Sequence, residues 1–322
     1  MFAAKAPAVG PDDPLTRLEN RIDEEESGRK KAVLQGLAWT ARFVEDDERL
    51  DFIFSNYVLF LRELTLDKED AATSIIASDL IEDAFARIKP RIGEVFPKSN
   101  HGKWDFISVL PFIFEFDLDR DFYFDFYISH FPEKHMSPYK KTFAKGVKTH
   151  NYDLLGDYLI DYSFLHYFNS DFPGHGFDLP GDTFDDFMKQ VSALELIHDY
   201  ASDEDDYFNQ NYYVTHIVYV ATDYGRTGME DKDLEDRVAD YLADNLDYVF
   251  YYEKDIDLPA EFVHCLALLG RGGDETVQAA VDYLVSQQLH DGSWGTQHDL
   301  DGDFYDQFHP TWAVASALHG FN

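Results

Sequence analysis

The sequence predicts an all-α fold, an α/α toroid of repeated helical hairpins with an irregular helical N-terminal part. Three observations carry this expectation. Three apolar helices, Tyr212–Tyr224, Leu258–Gly270 and Pro310–Phe321, each carry a histidine within them or directly at their start. These are His216, His264 and His309, at steps of 48 residues (216 to 264) and 45 residues (264 to 309), the length of one helical hairpin. Between them run helices that are apolar along one stripe only, first Leu234, Val238, Tyr241, Leu242, Leu246, Val249 and Phe250, then Val277, Val281 and Leu284. A helix apolar on every face is buried all round, and a one-sided helix lies at a surface. Their alternation therefore describes two concentric rings, the inner covered on both sides and the outer on one.

The elements follow in order. Residues 1–12 read as a loose arm, with Pro11-Asp-Asp-Pro14 as a helix start. Two helices are expected over about Ala32–Val44 and Arg49–Leu66, and a third from Asp67 until Pro90 and the Pro97–Gly102 loop end it. Residues 104–131 are unusually aromatic and are read as helices, although the alternation in Phe122-Tyr-Phe-Asp-Phe-Tyr-Ile128 also suits a strand. Pro132–Thr149 reads as a basic loop, His150–Phe168 as a helix, Phe172–Gly181 as a Gly- and Pro-rich loop, and Asp182–Ala201 as a helix. Residues 1–140 thus form an irregular helical region and 141–322 the regular hairpins, with no linker that would cut the chain into separate domains.

Near the C-terminus, Tyr283-Leu-Val-Ser-Gln-Gln-Leu-His-Asp-Gly-Ser-Trp-Gly295, followed by Pro310-Thr-Trp-Ala-Val-Ala-Ser-Ala-Leu318, resembles the Gln-Trp repeat of the terpenoid cyclase and protein prenyltransferase toroids, as in squalene-hopene cyclase-type enzymes. The resemblance implies a Gln that caps a helix end, a Trp stacked beside it and a tight Asp-Gly turn. Gly292 suits the positive φ of such a turn. One clear copy is present, and a fold of this kind hosts many chemistries.

Composition narrows the function. The 322 residues carry a formal net charge of −35, which disfavours nucleic acid and anionic membrane as partners. No segment is long and apolar enough to span a bilayer. The N-terminus makes a poor signal peptide. The single cysteine, Cys265, lies on an apolar helix and leaves no disulfide framework, so a reducing cytoplasm is the expected compartment. There is no P-loop, no Gly-rich dinucleotide turn and no Gly-x-Ser-x-Gly elbow.

Two Glu-x-x-His pairs stand on expected helices, Glu195/His198 and Glu261/His264. That spacing puts both side chains on one helix face, within reach of one metal, as in di-iron and di-manganese bundles. Counted back from Gly225 and Gly270, which end two inner helices, His216 and Glu261 take equivalent positions and point to the same central place. His198, His216, Glu261, His264 and His309 are therefore candidate metal ligands, with Tyr213, Tyr219 and Asp223 as candidate catalytic neighbours. A mixed imidazole–carboxylate set suits iron first, then zinc, manganese or copper. The leading expectation is a metalloenzyme, a non-haem iron oxidoreductase acting on a small molecule or peptide, with zinc-type hydrolysis or elimination as its nearest variant. The bland alternative is a set of core histidines, each satisfied by a hydrogen bond.

Two rivals come from other classes. Asp203-Glu-Asp-Asp206 resembles the acid motif of class II terpene cyclases, which implies a metal-free isoprenoid cyclase using Asp205 or Asp206, although Tyr207 replaces the usual Thr. An acidic helix start explains the same run. The other rival is a binding module whose aromatic cavity or acidic surface holds a cationic partner. Asp299-Leu-Asp-Gly-Asp-Phe-Tyr-Asp306 offers alternating carboxylates, but Gly302 stands at the wrong place for an EF-hand, and a surface loop is the plainer reading.

Overall fold

The computed structural model describes residues 13–66, 70–131, 140–179, 181, 183–196, 204–252, 256–296, 299 and 301–320. Among these the regular structure is entirely helical, and no helix is long and apolar enough to cross a membrane. The helices are α1 (Pro14–Glu24), α2 (Gly28–Phe43), α3 (Asp47–Thr65), α4 (Ala71–Ile88), the short α5 (Ile92–Val95), α6 (Asn100–Glu115), α7 (Arg120–His130), α8 (Lys140–Thr149), α9 (Tyr152–Asp171), α10 (Phe184–Ser192), α11 (Glu204–Thr222), α12 (Lys232–Tyr252), α13 (Asp257–Leu268), α14 (Glu275–Ser286) and α15 (Phe304–His319).

Part of the acidity builds helix starts. The side chains of Asp13, Asp46, Asp70 and Asp119 accept backbone N–H groups at the first turns of α1, α3, α4 and α7, and Asp303 forms a capping box with Asp306 at α15. Such caps satisfy orphan donors and favour the helix dipole. Asp303 and Asp306 are thereby committed to capping, and buried Asp299 accepts the Thr296 N–H.

Packing closes a cycle. Among the described residues α3 contacts α6, α6 contacts α9, α9 contacts α11, α11 contacts α13, α13 contacts α15, and α15 returns to α3. Other helices lie against this cycle, α2 on α15, α4 and α5 on α3, α8 and α10 on α9, α12 on α13, and α14 on α13 and α15, while α1 packs on α2 and α4. Two members of the cycle, α3 and α6, come from residues 1–140, so the N-terminal region helps build the same core as the hairpins.

Several local expectations change. Residues 122–128 lie in α7, so the ambiguous alternation is helical; Tyr123, Tyr127 and the rings of Phe85, Phe106 and Phe131 fill the space around it. Part of the expected basic loop is α8. The helix expected to reach Ala201 stops at Ser192, and residues 194–196 are not helical. The last helix starts at Phe304, six residues ahead of Pro310, which places His309 inside its second turn.

The Gln-Trp-like segment joins the end of the chain to its beginning. Gln288 Nε2 donates to the carbonyls of Ala32 on α2 and Gly292, both at 2.9 Å. Trp294 is 2% exposed, and its Nε1 donates to the Leu284 carbonyl at 2.8 Å. Gly292 has φ 95°, and a Cβ there would stand 2.7 Å from the Gln35 carbonyl oxygen. The turn therefore needs glycine for its backbone conformation and for its close approach to α2. The glutamine reaches across to another helix, where the resemblance implied a cap on its own.

Candidate functional site

Helices α3, α6, α9, α11, α13 and α15 together line a cavity of about 320 Å³, a size suited to a small molecule. Three acidic side chains and two arginines tie one end of it shut. Arg62, near the end of α3, is 3% exposed; it donates Nε to Glu115 at 2.9 Å and its two terminal nitrogens to Asp223 at 3.2 Å each. Arg226 pairs with the same Asp223 and with Asp171 at 2.6 Å. Glu115 and Asp171 are the last residues of α6 and α9, and Asp223 directly follows α11. The C-terminal ends of four cycle helices thus meet at two arginines, where cations suit the helix dipoles. This is the floor. Asp157 and Tyr305, both early in their helices, are exposed and lie at the mouth.

The lining is acidic and aromatic. Glu63, Asp105, Asp157, Asp161 and Glu261 supply five carboxyl groups, while Trp104, Phe112, Phe164, Tyr219, Tyr224 and Trp312 supply rings. Tyr219 and Tyr224 stack at 5.5 Å, and Tyr224 stacks on Phe164 at 5.9 Å.

Among the described lining residues one side chain is cationic at neutral pH. Burial alone would lower the His309 pKa, but hydrogen bonds to Asp257 and Glu261 and the charges of both outweigh it and hold it at about 10. Nδ1 of His309 is 3.1 Å from Asp257 Oδ2 and Nε2 is 3.5 Å from Glu261 Oε1. The ring lies flat on Tyr305 at 4.8 Å, an arrangement that also favours imidazolium. The Tyr212 hydroxyl donates to Asp257 at 2.9 Å and the Thr215 hydroxyl to Glu261 at 2.5 Å. Burial would raise Asp257, but the His309 hydrogen bond and charge keep it below the usual carboxylate range.

The other carboxyl groups have no such counter-ion. Burial, then repulsion from Asp157 and Asp105, pushes Asp161 up to about 8. Burial pushes Glu63 up to about 8, opposed by neighbouring Ser316 and Trp312. Asp105 and Asp157 are raised by burial as well. The folded protein therefore holds a proton on Asp161 that the unfolded chain releases above its ordinary carboxylate pKa near 3.8, and stability falls as pH rises from there to about 8. Asp161→Asn is expected to melt with the wild type near pH 4 and to be more stable at pH 8, by on the order of 1–2 kcal/mol after allowance for the solvated mouth. Thermal melts of both proteins across that range check this; a difference that does not grow with pH would sink it.

His216, Glu261, His264, His309 and Tyr219 all face this one cavity. His216 Nδ1 has no hydrogen-bond partner and rests against Gly156 of α9, where a Cβ would stand 2.7 Å away. His264 is buried beside the Tyr219 ring at 5.4 Å; burial and nearby His319 push it down to about 3, so it is neutral. The other expected residues stand elsewhere. Tyr213 is buried against Tyr152 between α11 and α9, outside the cavity lining, because its position on α11 faces the neighbouring helix. Asp223 belongs to the floor, paired with two arginines. His198 lies outside the described residues, as does Asp203, and Glu195 is exposed and not on a helix. The side chains of Asp205 and Asp206 are likewise outside what is described.

The donor set does not form a metal shell in this arrangement. Among the described residues no three His, Cys, Asp or Glu side chains come together to hold a metal ion. His309 has both ring nitrogens directed at carboxylates.

The carboxyl groups on α3, α6 and α9 were not among the expected site residues. Their signal was present: Asp153, Asp157 and Asp161 recur every four residues along an otherwise apolar helix, and Glu63 interrupts the run Tyr57-Val-Leu-Phe-Leu-Arg-Glu-Leu64. A stripe of acids on a buried helix is expensive unless it faces a polar space.

Residues 207–318 match the model of a domain of unknown function, DUF6895, about a third of the chain. The matched stretch runs from α11 to α15 and carries His216, Glu261, His264 and His309, while Glu63, Asp105, Asp157 and Asp161 fall outside it. No curated protein and no solved structure matches the chain.

Proposed function

We propose that the cycle of helices is an α/α toroid whose central cavity is the working site, and that this site binds a small organic cation. The observation that carries the reading is the imbalance inside the cavity. Five carboxyl side chains share aromatic walls with a single imidazolium, and that imidazolium is already held by Asp257 and Glu261. Buried carboxyl groups without a counter-ion cost stability. An ammonium would supply the missing charge and donors, and the surrounding rings would favour it through their faces.

The Asp257–His309–Glu261 row adds a means of moving a proton at the cavity wall, since an imidazole between two carboxylates can give or take one beside a bound amine. The iron centre expected from the histidine spacing would require His309 to lose its proton and His216, Glu261 and His309 to close on one point.

Calorimetric titration at physiological ionic strength, where exposed charges are screened beyond about 8 Å, separates these readings. Tetramethylammonium and n-butylammonium are titrated beside the neutral n-butanol, and iron(II), zinc and manganese are titrated separately. Saturable one-to-one binding of the ammonium ions, absent for butanol and weakened at least about tenfold in Asp161→Asn, supports the reading. No heat with any organic cation sinks it. Stoichiometric metal uptake lost in a His216→Ala, His309→Ala double variant would install the metal reading in its place.

A further inference from the structure

The carboxyl groups of the cavity divide into two poles. Asp105 on α6 and Asp157 and Asp161 on α9 form one, linked by mutual repulsion. Glu63 on α3 and Glu261 on α13 form the other, likewise coupled to each other. Asp105 and Asp161 stand ten residues ahead of Glu115 and Asp171, the ends of α6 and α9 at the floor, whereas Glu63 stands two residues ahead of Thr65, the end of α3 there. The first pole therefore lies nearer the mouth than Glu63, by ~12 Å at 1.5 Å per residue, and Trp104, Phe112, Phe164, Tyr219 and Trp312 line the same cavity.

Neither the Asp105/Asp157/Asp161 pole nor Glu63 has a protein cation to itself. Glu63 is 7% exposed, lines the cavity, and its Oε2 has no hydrogen-bond partner. Its neighbour Arg62 is committed to Glu115 and Asp223. Glu261 shares the His309 imidazolium with Asp257, which leaves Glu63, with Ser316 and Trp312 beside it, as the carboxyl group without a cation at that end. At the other pole Asp105 faces exposed His101 at 3.5 Å, and Asp157 lies near His216, whose ring burial holds neutral.

Resting on the cation-binding reading above, we propose that the natural occupant is a linear α,ω-diamine or polyamine, with one ammonium at the Asp105/Asp157/Asp161 pole and the other at Glu63. The aliphatic chain between them would lie along the aromatic walls. Size agrees. Of the ~12 Å between the two levels, a charge-assisted hydrogen bond at each end takes ~2.8 Å. That leaves roughly 6–7 Å for the molecule itself, the span of a chain of about four to five carbons.

The test is calorimetry of the full chain with n-butylamine and with 1,4-, 1,5-, 1,6- and 1,8-diaminoalkanes. The second ammonium gains a charge-assisted hydrogen bond to a buried acceptor, so the best diamine is expected to bind about 10–100-fold more tightly than butylamine. Affinity should peak at one chain length and fall at eight carbons. Glu63→Gln, close in shape to the native residue, is expected to remove most of the diamine's advantage, with circular dichroism confirming the fold. Equal affinity of butylamine and every diamine would overturn the two-pole proposal while leaving a cation site in place. Failure of all amines to bind would remove both.

Discussion

Arg62→Met is expected to destabilise the protein by about 3–5 kcal/mol, the largest single effect at the floor of the cavity. The guanidinium is 3% exposed and holds Asp223 with two nitrogens and Glu115 with a third. Methionine keeps much of the volume but leaves Asp223, itself 4% exposed, with Arg226 as its remaining partner. The cost is then the desolvation of an under-compensated carboxylate, more than the loss of attraction. Urea denaturation followed by circular dichroism measures it. Adding Asp223→Asn to Arg62→Met should recover part of the loss, because the stranded charge is removed. A loss below about 1 kcal/mol in the single variant would show that the floor is solvated and that the network does not hold the helix ends together.

Trp294→Ala is expected to cost about 3–5 kcal/mol through lost burial and the cavity left behind. The indole is 2% exposed, and its Cζ3 lies 2.8 Å from where a Cβ on Gly36 of α2 would stand. The backbone N–H of Trp294 donates to Thr311 Oγ1 at 3.0 Å and its Nε1 to the Leu284 carbonyl at 2.8 Å. One residue thus joins α14, α15 and α2, where the last helices meet the first. Trp294→Phe should cost less than the alanine variant, since it keeps most of the packing and loses the Nε1–H bond, worth about 1 kcal/mol. Thermal melts of both variants distinguish packing from hydrogen bonding; equal losses would assign the effect to the bond to Leu284.

These two sites frame the candidate site from opposite ends of the chain. Arg62 acts at the C-terminal ends of α3, α6, α9 and α11, and Trp294 fastens the α14–α15 connection to α2. The carboxyl groups between them are a stability cost that a binding site accepts for function. Asp161→Asn at alkaline pH and Glu63→Gln are therefore expected to trade binding for stability.

The sequence by itself determined the helical class, because apolar residues recur at helical spacing and the alternation of buried and one-sided helices leaves no room for a sheet. It also determined which C-terminal residues turn inward. His216, Glu261, His264 and His309 sit in runs so apolar that their side chains had to face a shared polar space, and they line one cavity. The Asp-Gly turn was legible for the same kind of reason, since few residues but glycine accept a φ of 95°. Tertiary structure alone decided the rest. That α3 and α6 complete the cycle depends on contacts between residues far apart in the chain, and helical periodicity within a segment does not encode its neighbours. The roles of Asp223 and His309 were decided in the same way. A carboxylate is a salt-bridge partner or a catalytic group according to whether an arginine from another helix reaches it, and Arg62 stands 161 residues away in sequence. The character of an imidazole likewise depends on its neighbours, and Asp257 and Glu261 come to His309 from a different helix and raise its pKa. The electrostatic character of the cavity is a property of all six helices at once, because charge acts through space and the chain's order does not record it.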